Sequence, residues 1–182
     1  MKIERITVYQ KDLPLAQPYW LSGGRLKFEV LDATFVKIET DDGYARAPQI
    51  SVDNSGNALA IWYQSDGLLD TTRFNRYNVN DSSWGTAALI ETDAGHAYAH
   101  QITHDNSGNA LAVWKEADGA IFSIRASRSS AGNDSWGASA LIETDAGDAD
   151  HPQIAIDGSG NALAIWQQDD GTQYNIRANK FE

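Results

Sequence analysis

At 182 residues the chain is long enough for one domain of ordinary size, and 42% hydrophobic residues with six Trp, seven Tyr and five Phe can fill its core. No run approaches the roughly 18 apolar residues of a membrane helix, and the absence of Cys removes disulfides, thiolate metal ligands and Cys nucleophiles. The net charge of -11 falls on residues 47–182, which hold seven Lys/Arg against 18 Asp/Glu, so neither nucleic acid nor an anionic membrane is expected as a partner.

The chain starts with Lys2-Ile3-Glu4-Arg5-Ile6-Thr7-Val8-Tyr9, which alternates like a strand and carries no apolar stretch or cleavage site of a secretory leader. Residues 1–26 are expected to form an extra strand and loop. From residue 27 onward the text repeats: Asp53-Asn54-Ser55-Gly56-Asn57-Ala58-Leu59-Ala60-Ile61-Trp62 returns at Asp105 to Trp114 and again at Asp157 to Trp166. The step is 52 residues both times, and it also relates Gln49-Ile50, Asp66-Gly67, Arg73 and Trp84-Gly85 to their counterparts.

Within one unit the signals mark four short strands. The first begins at Pro-Gln-Ile, and the Asp-x-Ser-Gly-Asn turn joins it to the Ala-Leu-Ala-Ile-Trp strand. Asp-Gly leads to a third strand around the Arg, and the fourth follows Trp-Gly. Ala58, Ala60 and Trp62 alternate with Leu59 and Ile61, so both faces of the second strand are apolar, as in a strand buried between neighbouring sheets. The expected fold is all-β, built from four-stranded blades of β-propeller type, with a β-sandwich or β-solenoid as the competing architecture.

The repeats fall at about 47–98, 99–150 and 151–182, and residues 29–39 are expected to complete the last one. Three blades are too few to close a ring, so a homodimer of six blades is expected.

Asp53, Asp105 and Asp157 read as turn-closing side chains, because one Asp with Ser and Asn supplies too few hard oxygens for Ca²⁺. Trp62, Trp114 and Trp166 read as packing between blades, with Leu59, Leu111 and Leu163 on the opposite face. Arg73, Arg125 and Arg177 recur with the unit and are the candidate contacts for an acidic ligand, set against pairing with Asp or stacking on the Trp. His96, His100 and His104 are spaced by four, which on a strand spreads the outer pair over roughly 26 Å, too far to share one ion. No catalytic arrangement, metal site or cofactor motif emerges, so the expectation is a non-enzymatic module that binds a small molecule, a glycan or a partner protein.

Two resemblances add to this. The Asp-x-Ser-Gly-Asn turn with Trp five residues beyond Asn resembles the sialidase-type and BNR-like repeats of bacterial exported propellers, over residues 47–182. Its order differs from the Ser/Thr-x-Asp-x-Gly-x-Thr-Trp box of sialidases. Residues 1–44, through the segment quoted above, Asp12-Leu13-Pro14-Leu15, Pro18-Tyr19-Trp20-Leu21-Ser22-Gly23-Gly24-Arg25 and Phe35-Val36-Lys37-Ile38-Glu39-Thr40-Asp41-Asp42-Gly43, resemble the start of the mandelate racemase branch of the enolase superfamily. That resemblance implies capping-domain strands carrying Tyr19 and Trp20 in a specificity loop, while the chemistry would belong to a barrel that does not follow. The six lysines contain no Lys-x-Lys pair to serve as its base, so the alternative reading, an enolase-superfamily fragment, is an inactive one. Ile38-Glu39-Thr40-Asp41 lies 52 residues before Ile90-Glu91-Thr92-Asp93, so the two texts join where they read alike, as in a chimera.

Overall fold

The repeat predicts three sheets of one plan, because each turn signal recurs at the same offset. The computed structural model describes residues 3–21, 26–40, 44–65, 67–91, 95–133 and 135–181, the first two stretches by their backbone. Every element in them is a strand. Two compact units divide between Asp42 and Gly43, beyond the 26/27 boundary that repeat arithmetic suggests.

The first unit is one antiparallel hairpin of β1 (Ile3–Leu21) and β2 (Leu26–Thr40), with Tyr9 opposite Phe35, Leu13 opposite Leu31 and an irregularity between Pro14 and Tyr19. Proline has no amide hydrogen for the ladder, which fits a break in register there. Residues 29–39, expected to complete the third repeat, lie within β2 and pair with β1. Tyr19 and Trp20 are strand residues of this hairpin, and the Ser22 to Arg25 part of the expected loop lies outside the described residues.

The second unit holds the repeats as three antiparallel sheets. The first comprises β3 (Ala45–Val52), β4 (Ala58–Ser65), β5 (Asp70–Asn78) and two short pieces pairing with β5, namely β6 (Ser83–Trp84) and β7 (Ala88–Leu89). The second comprises β8 (Ala97–His104), β9 (Ala110–Asp118), β10 (Ile121–Ser129) and β11 (Ala140–Leu141). The third has β12 (Ala149–Ile156), β13 (Ala162–Asp169) and β14 (Tyr174–Phe181), three strands rather than four. The first strands β3, β8 and β12 lie side by side, so the sheets radiate from them.

Two cores glue the sheets together. Leu59, Ile61 and Phe74 on the trailing face of the first sheet pack against Ala97, Ala110, Ala112 and Trp114 on the leading face of the second. The same contact recurs one step on, where Leu111, Val113 and Ile124 meet Ala149, Ala162, Ala164 and Trp166. Small Ala side chains let the sheets approach and leave room for one indole, and each fully buried aliphatic side chain contributes about 1.5–3 kcal/mol. All three repeat tryptophans are buried, and Leu59 and Leu111 are buried on the other face of their strands. Leu163 is on that face too but is exposed, because among the described repeats the third sheet has no successor packed on it.

The Asp turns form as the sequence implies. Asp53 Oδ1 accepts hydrogens from the Ser55 and Asn57 amides at 2.8 and 2.9 Å while Oδ2 accepts from Asn57 Nδ2, and Asp105 and Asp157 repeat the pattern. The turns stack along the array, with Asn54 Nδ2 donating to Asn106 Oδ1 at 2.9 Å.

Candidate functional site

The three copies agree in their Asp turns and in the Ala, Leu and Trp of the second strands, so rows where they differ are free to carry chemistry. Four such rows lie together at one end: Tyr44, His96 and Asp148; Arg46, Tyr98 and Asp150; Ala47, Ala99 and His151; Pro48, His100 and Pro152. All lie in or just before the starts of the inner strands. Tyr63, Lys115 and Gln167 near the ends of the second strands, and Asp70, Phe122 and Tyr174 at the starts of the third, face the same end.

A backbone irregularity marks this end in every copy. The ladder between first and second strand slips between Arg46 and Gln49, between Tyr98 and Gln101, and between Asp150 and Gln153. At each slip a non-glycine residue adopts positive φ: Ala47 at 47°, Ala99 at 50° and His151 at 52°. Such bulges re-aim side chains, and non-glycine residues held there carry strain that clusters at functional sites.

The side chains aimed by the bulges touch one another in a continuous run across all three sheets. His96 stacks on Tyr98 with centroids 5.9 Å apart, and Tyr63 meets Tyr98 and His100 edge-on at 5.9 and 6.0 Å. Tyr98 also meets Phe122 edge-on, and the Lys115 ammonium lies 4.1 Å from the Phe122 centroid. Lys115 Nζ then donates to Asp150 Oδ2 at 2.7 Å, and Asp150 Oδ1 accepts the His151 amide hydrogen. The aromatic rings at the centre are half-buried and His151 is exposed, so the cluster is open to solvent.

The titratable groups are tuned by this packing. Partial burial disfavours the Asp150 carboxylate, but the bonds from Lys115 and the His151 amide outweigh it and hold its pKa below the usual range. Burial and the neighbouring Asp70 carboxylate raise the Tyr98 phenol. His100 is pushed down by burial, against bonds to the backbone of Ala47 and Ile61. The neutral ring protonated at Nε2 therefore donates to the Ala47 carbonyl, 2.6 Å away. His96 Nδ1 accepts the Asp70 amide hydrogen at 3.1 Å and lies 3.6 Å from the Asp70 carboxylate.

The expected ligand arginines lie elsewhere. Arg73, Arg125 and Arg177 sit on the third strands directly opposite Trp62, Trp114 and Trp166. Arg125 Nε is 3.2 Å from the buried Glu116, which also accepts the Trp114 indole hydrogen at 2.8 Å, and Arg177 pairs with Asp145 at 2.6 Å. The Arg125 contact joins β10 to β9, and the Arg177 contact joins β14 to the loop before β12. His96 and His100 join the aromatic run, whereas His104 lies among Arg76, Asp53 and Asp105. Among the described residues no three His, Asp or Glu side chains converge as a metal site.

At the opposite end, a polar cleft of about 450 Å³ between the first two sheets is lined by Asp53, Arg76, Tyr77, Asn80 and Asp81. Arg76 Nη2 already donates there to Asn133 O and Ser129 Oγ of the second sheet.

The sheets define the class of fold, an all-β architecture of propeller type. Among solved structures the chain is similar to an endo-arabinase from Bacteroides thetaiotaomicron, with a TM-score of 0.52 and 11% identity, over 100% of this chain and 73% of that one. That likeness supports the propeller resemblance of the repeats and not the enolase-like resemblance of residues 1–44. It also overturns the expectation that the chain is not an enzyme, since a glycoside hydrolase is built on a similar fold. No family model matches the chain, and no curated protein does.

Proposed function

We propose that the bulged ends of the inner strands recognise a saccharide chain. The observation that carries this reading is the unbroken run of aromatic and ionic side chains from Tyr63 through Tyr98 and Phe122 to Lys115 and Asp150, built from the rows in which the repeats differ. Half-buried aromatic rings offer flat apolar surface for the C–H faces of a sugar, while an ionised carboxylate and an ammonium bond its hydroxyls. A saccharide suits this mixture better than a strongly acidic ligand, because Lys115 is already paired and Asp70, Asp148 and Asp150 add negative charge at the same end. The glycosidase on a similar fold supports the choice of ligand class.

The test is calorimetric titration with arabino-oligosaccharides and a panel of other neutral oligosaccharides. One of them should bind, and Tyr98→Ala should weaken that binding at least tenfold while leaving the unfolding midpoint close to the parent. Failure of every saccharide to bind, or unchanged affinity in Tyr98→Ala, overturns the proposal.

The same carboxylates favour a second reading, hydrolysis of the bound chain. Asp150, held ionised by Lys115, has the charge state of a base or nucleophile, with Asp70 and Asp148 as the neighbouring candidates for the acid. Release of reducing ends from arabinan, lost in Asp150→Asn, would establish it; binding without release restricts the site to recognition.

A further inference from the structure

We infer that the trailing face of the third sheet docks head-to-tail on the leading face of the first sheet in a second copy of this chain. The open faces are the two halves of an interface the chain already makes twice. Cross-strand pairing puts Leu163, Ile165, Ile176 and Tyr174 on one face of the third sheet, where Leu163 is 52% exposed, Ile165 41% and Ile176 68%. The corresponding Leu111, Val113 and Ile124 of the second sheet are covered by the third, and Leu59 and Ile61 of the first by the second.

The leading face of the first sheet is the complement. Ile50 pairs opposite Ala60 and Val52 opposite Ala58, so both point the way of Trp62, and they are 60% and 58% exposed. Their counterparts Ile102, Ile154 and Ile156 pack against the preceding sheet. Apolar surface of this extent on two faces marks an interaction site, and a face that fits its successor by construction selects another copy as the occupant.

The repeat also fixes the register of docking. Asp53 Oδ2 lies 3.1 Å from the point where a Cβ would stand on Gly108, and Asp105 Oδ2 3.3 Å from the same point on Gly160. One step further, Asp157 would meet Gly56 of the second copy, a glycine whose Cβ position is approached by Val79 of its own sheet. In the same way Asn54 bonds Asn106, Asn106 crowds Gly158, and Gly158 would reach Asn54 of the second copy. Across the new junction Gln167 would stand where Tyr63 stands against Tyr98 and Lys115 against Asp150, and Arg46 would be its partner. An amide beside a guanidinium introduces no like-charge clash.

The experiment exploits the lack of native cysteine. The Val52→Cys and Leu163→Cys variants, each at an exposed apolar position whose counterparts Ile156 and Leu111 share one core, are mixed and oxidised. Head-to-tail docking should yield a disulfide-linked pair from the mixture and a much smaller amount from either variant alone. Light scattering on the parent should show a mass above 19.9 kDa that rises with concentration. That mass should fall to one chain in both Ile165→Glu and Ile50→Glu, each checked for an unchanged strand spectrum. A parent mass fixed at one chain overturns the inference. So does a dimer broken by Ile165→Glu and untouched by Ile50→Glu, which would be a contact of like faces, or cross-linking confined to a single variant.

Discussion

The carboxylate of Asp53 stands 3.1 Å from where a methyl group would sit on Gly108, a residue of the next sheet whose φ is +84°. The glycine thus serves two needs, a left-handed turn and space for the neighbouring turn's anion. Gly119 has φ of +65° and open space around it, so it serves the first need alone. Gly119→Ala should cost about 1 kcal/mol of backbone strain. Gly108→Ala should cost about 1 kcal/mol more, because Asp53 must shift from the donors it accepts. Urea unfolding of the two variants side by side measures the difference.

Trp114 is fully buried between two sheets and its indole N–H donates to the buried Glu116. Trp114→Ala should destabilise by about 3–5 kcal/mol through the cavity it leaves. Trp114→Phe keeps most of the packing but strips the hydrogen bond, and should cost about 1–3 kcal/mol. The denaturant midpoint at constant m-value reports both.

Leu111 and Leu163 occupy the same place in their repeats and differ only in cover. Leu111→Ala should cost about 2–5 kcal/mol. Leu163→Ala should be nearly silent when unfolding is followed at dilutions where one chain is observed, and should become costly at concentrations where copies associate.

Acid should act in two stages. His100 and His104 are both depressed from 6.5 by burial, so their contribution is complete above that value and is lost as the pH falls through their folded values. Asp53 and Asp105 are net depressed from 3.8, because the turn's donors outweigh partial burial, and their contribution is lost as the pH falls below that. Stability should therefore decline from about pH 6.5 downward and more steeply in the carboxylate range. Urea midpoints from neutral pH to about pH 5 should decline less in His100→Gln than in the parent.

The framework of the second unit was legible because the same physics is stated three times: a turn-closing Asp, a glycine at positive φ, and an Ala-Leu-Ala-Ile-Trp strand apolar on both faces. Comparing the copies for agreement found Trp114 and Asp105, and it also singled out Arg73, Arg125 and Arg177, of which Arg125 pairs with Glu116 and Arg177 with Asp145. The residues proposed to bind saccharide, Tyr98, Lys115 and Phe122, carry no repeat signal at all. The readable clue was disagreement at fixed register, Arg46 against Tyr98 against Asp150, on a strand whose Ala45, Gln49 and Ile50 are the same in all three copies. The bulge at Ala99 was beyond reach, since nothing in Tyr98-Ala99-His100 asks for positive φ; packing of the inner strands imposes it.

The variable rows also bear on how the chain finds its own order. The constant rows recur every 52 residues, so the trailing face of the first sheet matches the leading face of the third almost as well as that of the second. Skipping the middle sheet is thus a kinetic trap written into the regularity itself. The differing side chains act as an address that breaks the tie: Tyr63 finds the ring of Tyr98 in the correct neighbour, but in the wrong one would meet the carboxylate of Asp150, whose partner is Lys115. Replacing Tyr98 and Lys115 by the residues of another copy should therefore slow refolding from denaturant more than it lowers equilibrium stability, because it erases the label while sparing the glue.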